Sequence, residues 1–379
     1  MEKKLKLAAA AACTALLASQ AHAQSTVTLY GVIDTGLFYV HNSDGHASQW
    51  LMSSGTMSGS RWGLKGAEDL GGGLKAVFQL ENGFNSTSGA LGQGRRMFGR
   101  QAYVGLSDAQ RWGTVTLGRQ YDPLVDLVQP VQGDNWLAGF FIAPGDIDNA
   151  DNSARFNNAV KWASPVWGGV QVEAMYALGG VAGAPGSGQT YSAAVAYNAG
   201  PLALAGGYLH VDNGNANLSQ RGTSTSDSFF NSNVNAAYAS ARSINVARAG
   251  GRYTVGALTL GGYYSFSEYS PDGSSTFTKS EKYHNAEVYG VWQFSPALLG
   301  EIGYDYMRSL GDSSAKYHTV SAGVDYNLSK RTDVYSVVSY QHVSGTNGLG
   351  VAEASIGSEG FNAGKNSQTI VAIGMRHRF

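Results

Sequence analysis

Along almost the whole of this 379-residue chain, apolar residues recur at every second position for about ten residues at a time. GLKAVFQLENGF sets Leu74, Ala76, Phe78 and Leu80 against Lys75, Val77, Gln79 and Glu81. YHTVSAGVDYNL sets Val320, Ala322, Val324 and Tyr326 against Thr319, Ser321, Gly323 and Asp325. A period of two throws successive side chains to opposite faces of an extended strand. Sixteen such segments begin near residues 27, 59, 73, 97, 112, 155, 168, 189, 201, 241, 257, 283, 298, 316, 332 and 367. The chain's 51 glycines and 21 tyrosines, with only 14% charged residues, suit a β protein with many tight turns.

The connections sort into two kinds. AEDLGG, SDAQRW, SPVWG, NAGP, TVGA, FSPA and NLSKR follow even-numbered segments. After the odd-numbered ones come mostly longer polar stretches: 42–58, 82–96, 120–154, 178–188, 211–240, 268–281, 309–315 and 344–366. A soluble β-sandwich has no reason to sort its connections in this way, whereas a barrel crossing a membrane has short turns at one end and longer loops at the other. In lipid every backbone N–H and C=O must be paired, so such a sheet has to close on itself. TVTLYGVIDTGLFYV is then expected to pair with TIVAIGMRHRF, whose alternation runs to Phe379. The expected fold class is all-β: a 16-stranded antiparallel transmembrane β-barrel with short periplasmic turns and long extracellular loops, wide enough to hold water.

At the amino end MEKKLK is basic, LAAAAACTALLAS is an apolar run of h-region length, and Ala21-His22-Ala23 is an A-x-A site. Residues 1–23 are therefore expected to be a secretory signal peptide and 24–379 the barrel domain. The apolar run is too short to span a membrane as a helix. The single cysteine, Cys13, falls within it, so the exported chain would hold together without disulfides. Without Lys3, Lys4, Lys6 and Glu2, the 26 basic and 27 acidic residues become 23 and 26. That balance gives nucleic acid nothing to bind, and none is expected as a partner.

Six stretches spread over the chain carry a family likeness: VTLYGVIDTGL (27–37), SRWGLKGAEDLGGGLKAVFQLENGF (60–84), GRQAYVGLSD (99–108), GTVTLGRQYDPL (113–124), YNLSKRTDVY (326–335) and the terminal Phe379. In them the sequence resembles the general, non-specific porins of Gram-negative bacteria, of the type found in Neisseria, Burkholderia, Bordetella and Comamonas. The resemblance implies a homotrimer in outer-membrane lipid and a passive diffusion channel for ions and small hydrophilic solutes. It also implies a third long loop folded into each barrel, and a C-terminal aromatic strand, ending at Phe379, read by the barrel-assembly machinery. No cofactor and no metal is expected.

Carried over from that family, the basic wall facing the inward loop falls on Arg61 in SRWGLKG, Arg100 in GRQAYVGL and Arg155 in SARFNNAVKW. Alternation adds Lys75 and Glu81 on the polar face of one strand, and Arg119 comes just before the loop. On the loop, 120–154, the acids are Asp122, Asp126, Asp134, Asp146 and Asp148. Asp134 stands nearest the constriction acids of enteric relatives, but their PEFGG-like stretch is absent, so which aspartate faces the lumen stays open. The loop also holds an apolar patch, Trp136, Leu137, Phe140, Phe141 and Ile142. It either packs inside the barrel or lies over the mouth or against a neighbouring subunit. Arginines facing carboxylates across a narrow aqueous gap would set up a transverse field that orders water and penalises apolar solutes.

Two other classes stay in view. One is a substrate-specific channel, sugar or anion selective; a sugar-selective barrel would line its path with aromatic rings, and Tyr121, Trp136, Phe140 and Phe141 are the residues to begin such a lining. An outer-membrane enzyme would need a Ser–His pair within hydrogen-bond reach and a third group orienting the base. HNSDGH, His41 to His46, offers those residue types only within one short polar stretch. GGGL at 71–74 reads as a tight turn rather than a phosphate cradle, because no helix follows it. The connections 211–240 and 344–366, rich in Asn, Ser and Gly, are expected to lie exposed on the outside.

Overall fold

The computed structural model describes residues 26–184, 186–212 and 229–379. The expected leader, 1–23, lies outside the described residues, as do residues 213–228 of the 211–240 connection. The strands in chain order are β1 (Thr26–Ser43), β2 (His46–Ser54), β3 (Arg61–Gly71), β4 (Leu74–Gly83), β5 (Gln101–Asp108), β6 (Gly113–Gln120), β7 (Phe156–Ala163) and β8 (Val170–Ala177). Then come β9 (Thr190–Ala199), β10 (Leu202–Asp212), β11 (Ser243–Val255), β12 (Leu258–Ser270), β13 (Glu281–Ser295), β14 (Leu298–Leu310), β15 (Lys316–Asn327) and β16 (Thr332–Ser344). A two-residue ribbon, β17 (Thr346–Asn347) with β18 (Gly350–Val351), precedes the last strand, β19 (Ser367–Arg378).

Apart from that ribbon, all the strands join one antiparallel sheet, closed because β19 lies between β16 and β1. Across this seam Val32 faces Arg378, Leu37 faces Ile373 and His41 faces Thr369. Gly31 and Phe379 extend it, each backbone N–H donating to the other's carbonyl at 3.1 Å. No helix among the described residues is long and apolar enough to cross a membrane; strands do the crossing.

Seventeen strands make sixteen staves. β2 pairs with the upper half of β1, Ser43 facing His46 and Thr35 facing Ser54, while β3 pairs with the lower half, Val32 facing Arg61 and Thr26 facing Ala67. One stave is thus interrupted at residues 55–60, where Ile33 and Asp34 of β1 stand opposite six residues. The first connection, expected to be long, is instead a tight turn at Asp44 and Gly45, both with positive φ, and the second stave begins at His46 rather than near residue 59. Asp34 causes the break. Its carboxylate accepts from the backbone N–H of Met57 at 2.7 Å and of Ser58 at 2.8 Å, and from the Tyr335 hydroxyl at 2.6 Å. The segment is thereby drawn inward, out of the wall.

Side chains sort in the opposite sense to a soluble protein. Leu37, Val104, Leu117, Leu260, Val288 (62% exposed), Ile302 (61%) and Ile373 point outward and form an apolar belt. Trp112, Trp167, Tyr197, Tyr253, Trp292 and Phe379 edge it at the short-turn end, and Trp50, Tyr191, Tyr208, Tyr264, Tyr304 and Tyr340 at the long-loop end. Such girdles settle at the two membrane interfaces. Inward positions are polar or aromatic, as in β13, where Glu281, Tyr283, Asn285, Glu287 and Tyr289 are buried.

The inside of the tube is filled largely by loops. The third connection turns inward, and so does the segment 345–366, whose Ala352, Ala354, Ser355, Ile356 and Ala363 are buried. Phe229, Val234 and Tyr238 of the 211–240 connection are buried with them. That corrects the outside position expected for 344–366 and for the described part, 229–240, of the other connection. Small residues let the 345–366 backbone press onto the third loop: Gly145 donates to the Gly357 carbonyl at 2.7 Å, and Ser358 to the Gly139 carbonyl at 3.1 Å.

Candidate pore constriction

The third loop begins with a short helix, Pro123–Leu127, capped by the Asp122 carboxylate, which accepts from the Leu124 N–H at 2.8 Å. Leu124, Val128, Leu137, Phe140, Ile142 and Ile147 are buried against the wall. Trp136 is the exception in the apolar patch, half-buried beside Tyr289 with the Arg252 guanidinium over its ring. A loop inside a barrel needs partners for its backbone, and the strands opposite supply them. The Tyr289 hydroxyl donates to the Val131 carbonyl (2.9 Å) and the Ser321 hydroxyl to that of Phe140 (2.8 Å), while the Tyr263 hydroxyl accepts from the Ala143 N–H (3.1 Å). Two wall glycines admit the loop's side chains: a Cβ at Gly303 would lie 2.8 Å from Phe141, and one at Gly323 2.7 Å from Leu137.

Across from the loop, strand ends bring the basic residues together. Arg61 opens β3, Glu81 lies in β4, Arg100 immediately precedes β5, and Arg155 immediately precedes β7. The Arg100 Nε donates to Glu81 Oε1 at 2.8 Å and its Nη2 to the Tyr121 hydroxyl at 2.8 Å. Arg61 stands 3.7 Å from the other Glu81 oxygen, which also accepts from the Tyr30 hydroxyl at 2.9 Å. Arg100 and Arg155 lie over the Tyr121 ring, 5.9 and 5.4 Å from its centroid, so one aromatic ring holds two like charges near each other. Burial, then the Arg100 charge, lowers the Arg155 pKa to about 10, which leaves it cationic at neutral pH.

These residues line two adjoining cavities. One, of about 390 Å³, is bounded by Arg61, Glu81, Arg100, Tyr121, Asp126, Asp134 and Asp151. The other, of about 190 Å³, is bounded by Arg100, Arg155, Asp151, Ser153 and Ser358. Met57, Ser58 and Gly59, from the interrupted stave, line both. A Cβ at Gly59 would fall 2.9 Å from Arg100 Nη1, so glycine lets the guanidinium lie against the backbone.

The remaining candidates lie elsewhere. Arg119 is tied to the wall, donating to the Gly99 carbonyl at 2.7 Å, the Arg155 carbonyl at 3.3 Å and Asn157 at 2.7 Å. Lys75 is exposed six residues down β4 from Glu81, about 20 Å along the strand. Asp126 pairs with Lys161, and Asp134 accepts from Gln129 at 2.7 Å. Asp122 caps the helix, Asp146 accepts from the backbone N–H of Asp151 and Ser153 within the loop, and Asp148 is fully buried. Burial holds Asp134 well above its ordinary value and raises Asp122 and Asp151. Asp146 is pushed up to about 7, first by burial and then by Asp151 and Asp148.

Sequence reasoning missed three contributors: Asp151, which lines both cavities and accepts from the Ser358 hydroxyl at 2.6 Å; Lys161; and the 55–60 segment. In the sequence only SSGTMSGS, small and without alternation, marks that last element. The HNSDGH stretch forms the β1–β2 turn, where the Ser43 hydroxyl donates to Gln49 at 2.8 Å. Among the described residues no group of His, Cys, Asp and Glu is placed to hold a metal ion.

A closed transmembrane barrel with an apolar belt outside, and charged cavities narrowed by inward segments, is the architecture of an outer-membrane diffusion channel. The chain belongs to the Gram-negative porin family, whose profile it matches over residues 8–346. It is 32% identical to an outer membrane porin protein of Bordetella pertussis, over 98% of each chain. Its fold matches the anion-selective porin from Comamonas acidovorans with a TM-score of 0.72 at 24% identity, covering 94% of this chain and all of that one. The trimer form of OmpT from Vibrio cholerae follows with a TM-score of 0.65 at 18% identity, covering 94% and 99%. This protein is thus a passive channel for ions and small hydrophilic solutes in the Gram-negative outer membrane.

Proposed function

We propose that solutes cross at the cavities between the third loop and the Arg61–Arg100–Arg155 wall, and that anions cross preferentially. The observation that carries this reading is the charge balance at the narrowing. Three guanidinium groups line it, and Glu81, the wall carboxylate among the described lining residues, is already shared by Arg100 and Arg61. The loop offers little counter-charge: Asp126 is paired with Lys161, and burial drives Asp134 and Asp151 towards their neutral forms. Positive potential in a low-dielectric gap raises the local concentration of anions. The designation of the Comamonas structure as anion-selective agrees with it.

The assembly proposed is a homotrimer, the form in which the Vibrio OmpT structure is described. Phe379, in the girdle at the seam, is the proposed signal to the barrel-assembly machinery. We assign the protein no reaction. Liposome swelling with galacturonate, galactose and galactosamine, matched in size and differing in charge, tests the selectivity. Entry is expected to be fastest for galacturonate and slowest for galactosamine at low ionic strength; equal rates or the reverse order would overturn the anion preference.

A further inference from the structure

Beside the arginine cluster, a chain of hydrogen bonds runs along the lumen wall from β5 to β1 and ends on Glu81. The Tyr103 hydroxyl of β5 donates to Gln79 Oε1 of β4 at 3.0 Å. Gln79 Nε2 donates to the Tyr30 hydroxyl of β1 at 2.7 Å, and that hydroxyl donates to Glu81 Oε2 at 2.9 Å. Every proton in the chain points towards the carboxylate, and donors aligned in one direction polarise one another.

β1 and β4 are separated by β3. Tyr30 reaches across it because the residue that faces both Tyr30 and Glu81 is Gly63. A Cβ at Gly63 would lie 2.7 Å from the Tyr30 hydroxyl oxygen and 2.8 Å from the ring carbon that bears it. Lys65, two residues further along β3, stands over the same ring at 5.3 Å from its centroid. The ring is thus laid over bare backbone and pinned by a cation.

The other oxygen of Glu81, Oε1, accepts from Arg100 Nε at 2.8 Å and from the Tyr121 hydroxyl at 3.3 Å. Arg61 stops short of the carboxylate: its Nε is 3.7 Å from Oε2, outside hydrogen-bond reach. Arg61 Nη1 donates to the Gly59 carbonyl at 2.9 Å, and among the described residues its Nε and Nη2 have no hydrogen-bond partner. The Arg61 side chain is 29% exposed against 9% for Arg100, and it lines the larger cavity.

We propose that Tyr30, backed by Gln79 and Tyr103, is a positioning residue for ion selectivity: it fixes Glu81 on Arg100 and keeps Arg61 from closing onto the carboxylate. Arg61 then offers its unused donors to a passing anion. Without the Tyr30 hydroxyl, Oε2 loses its hydrogen bond, and Arg61 is the cation beside it that can replace the lost donor. A charge-assisted pair would form there, taking one positive charge out of the narrowing. The inference rests on the anion path proposed above.

Planar-bilayer recording of the purified full-length protein tests it, through the reversal potential in a potassium chloride gradient. Tyr30→Phe, which removes only the hydroxyl, is expected to lower the chloride-to-potassium permeability ratio about threefold relative to the unaltered channel. Tyr103→Phe, at the far end of the chain, should lower it less and in the same direction. In an Arg61→Ser background Tyr30→Phe should cause no further shift, because no guanidinium remains to close. Discrete open steps show that each variant is folded. An unchanged ratio in Tyr30→Phe, or a shift towards anions, would overturn the proposal. So would an equal shift with and without Arg61, the result expected if the hydroxyl merely stiffens the wall. Each variant is compared with the unaltered channel. A cation-preferring unaltered channel would therefore refute the anion path, while the dependence of the Tyr30 shift on Arg61 still decides the positioning role.

Discussion

At the scale of single residues, the narrowing depends on groups that hold one another in place. Replacing Arg100 with Ser removes the 2.8 Å partner of Glu81 and leaves that carboxylate facing the cavity with Arg61 and the Tyr30 and Tyr121 hydroxyls near it. Reversal potential in a salt gradient should shift towards cations, and an unchanged value would remove Arg100 from the selectivity site. Asp34 acts on structure instead. Asp34→Ala would strip the acceptor from the buried Met57 N–H, the half-buried Ser58 N–H and the Tyr335 hydroxyl, a loss of about 3 kcal/mol or more. The midpoint of thermal unfolding in detergent should fall, and conductance should change because Met57 and Ser58 leave the cavity wall. An unaltered midpoint would show that the 55–60 segment is held by something else. The three arginines were legible through the family likeness of short motifs. Asp34 and Asp151 were not, because their partners, Tyr335 and Ser358, lie 301 and 207 residues away and meet them only in the closed barrel.

At the scale of elements, the inward loops are held by packing and by buried acids whose pKa values burial raises. The alternation that located the strands says nothing about connections, so 344–366 read as surface from its Asn, Ser and Gly content. Its inward position follows from small residues meeting backbone partners on another loop. The third loop was readable because its apolar patch has nowhere to go in water. Gly323→Leu should drive Leu137 off the wall and raise conductance or its noise; quiet, unchanged channels would contradict the packing described. The loop acids add a pH dependence. Asp122, Asp134 and Asp151 are raised, Asp146 to about 7, and Glu359 on the facing loop well above its usual range, each chiefly by burial. Groups raised in the fold bind protons there that the unfolded chain has already released. Their contribution is therefore complete below about pH 4 and is lost as pH rises through the folded values, near 7 for Asp146. Amide exchange across 121–155, corrected for intrinsic rates, should be slower at acidic than at alkaline pH; the opposite trend would show that these loops are held by ionised carboxylates.

At the scale of the whole molecule, closure of the sheet decides everything else. Lipid admits no open edge, so β1 and β19 must meet, and their meeting makes a water-holding tube that the inward segments can narrow. Two-residue periodicity made this visible in the sequence, except at the second stave, where an inward break hid its upper half. Planar-bilayer recording of the purified protein across a potassium chloride gradient addresses the central claim directly. Discrete, lasting open steps are expected, with a reversal potential of the sign set by chloride. A membrane that stays silent, or a reversal potential of the sign set by potassium, would contradict the account.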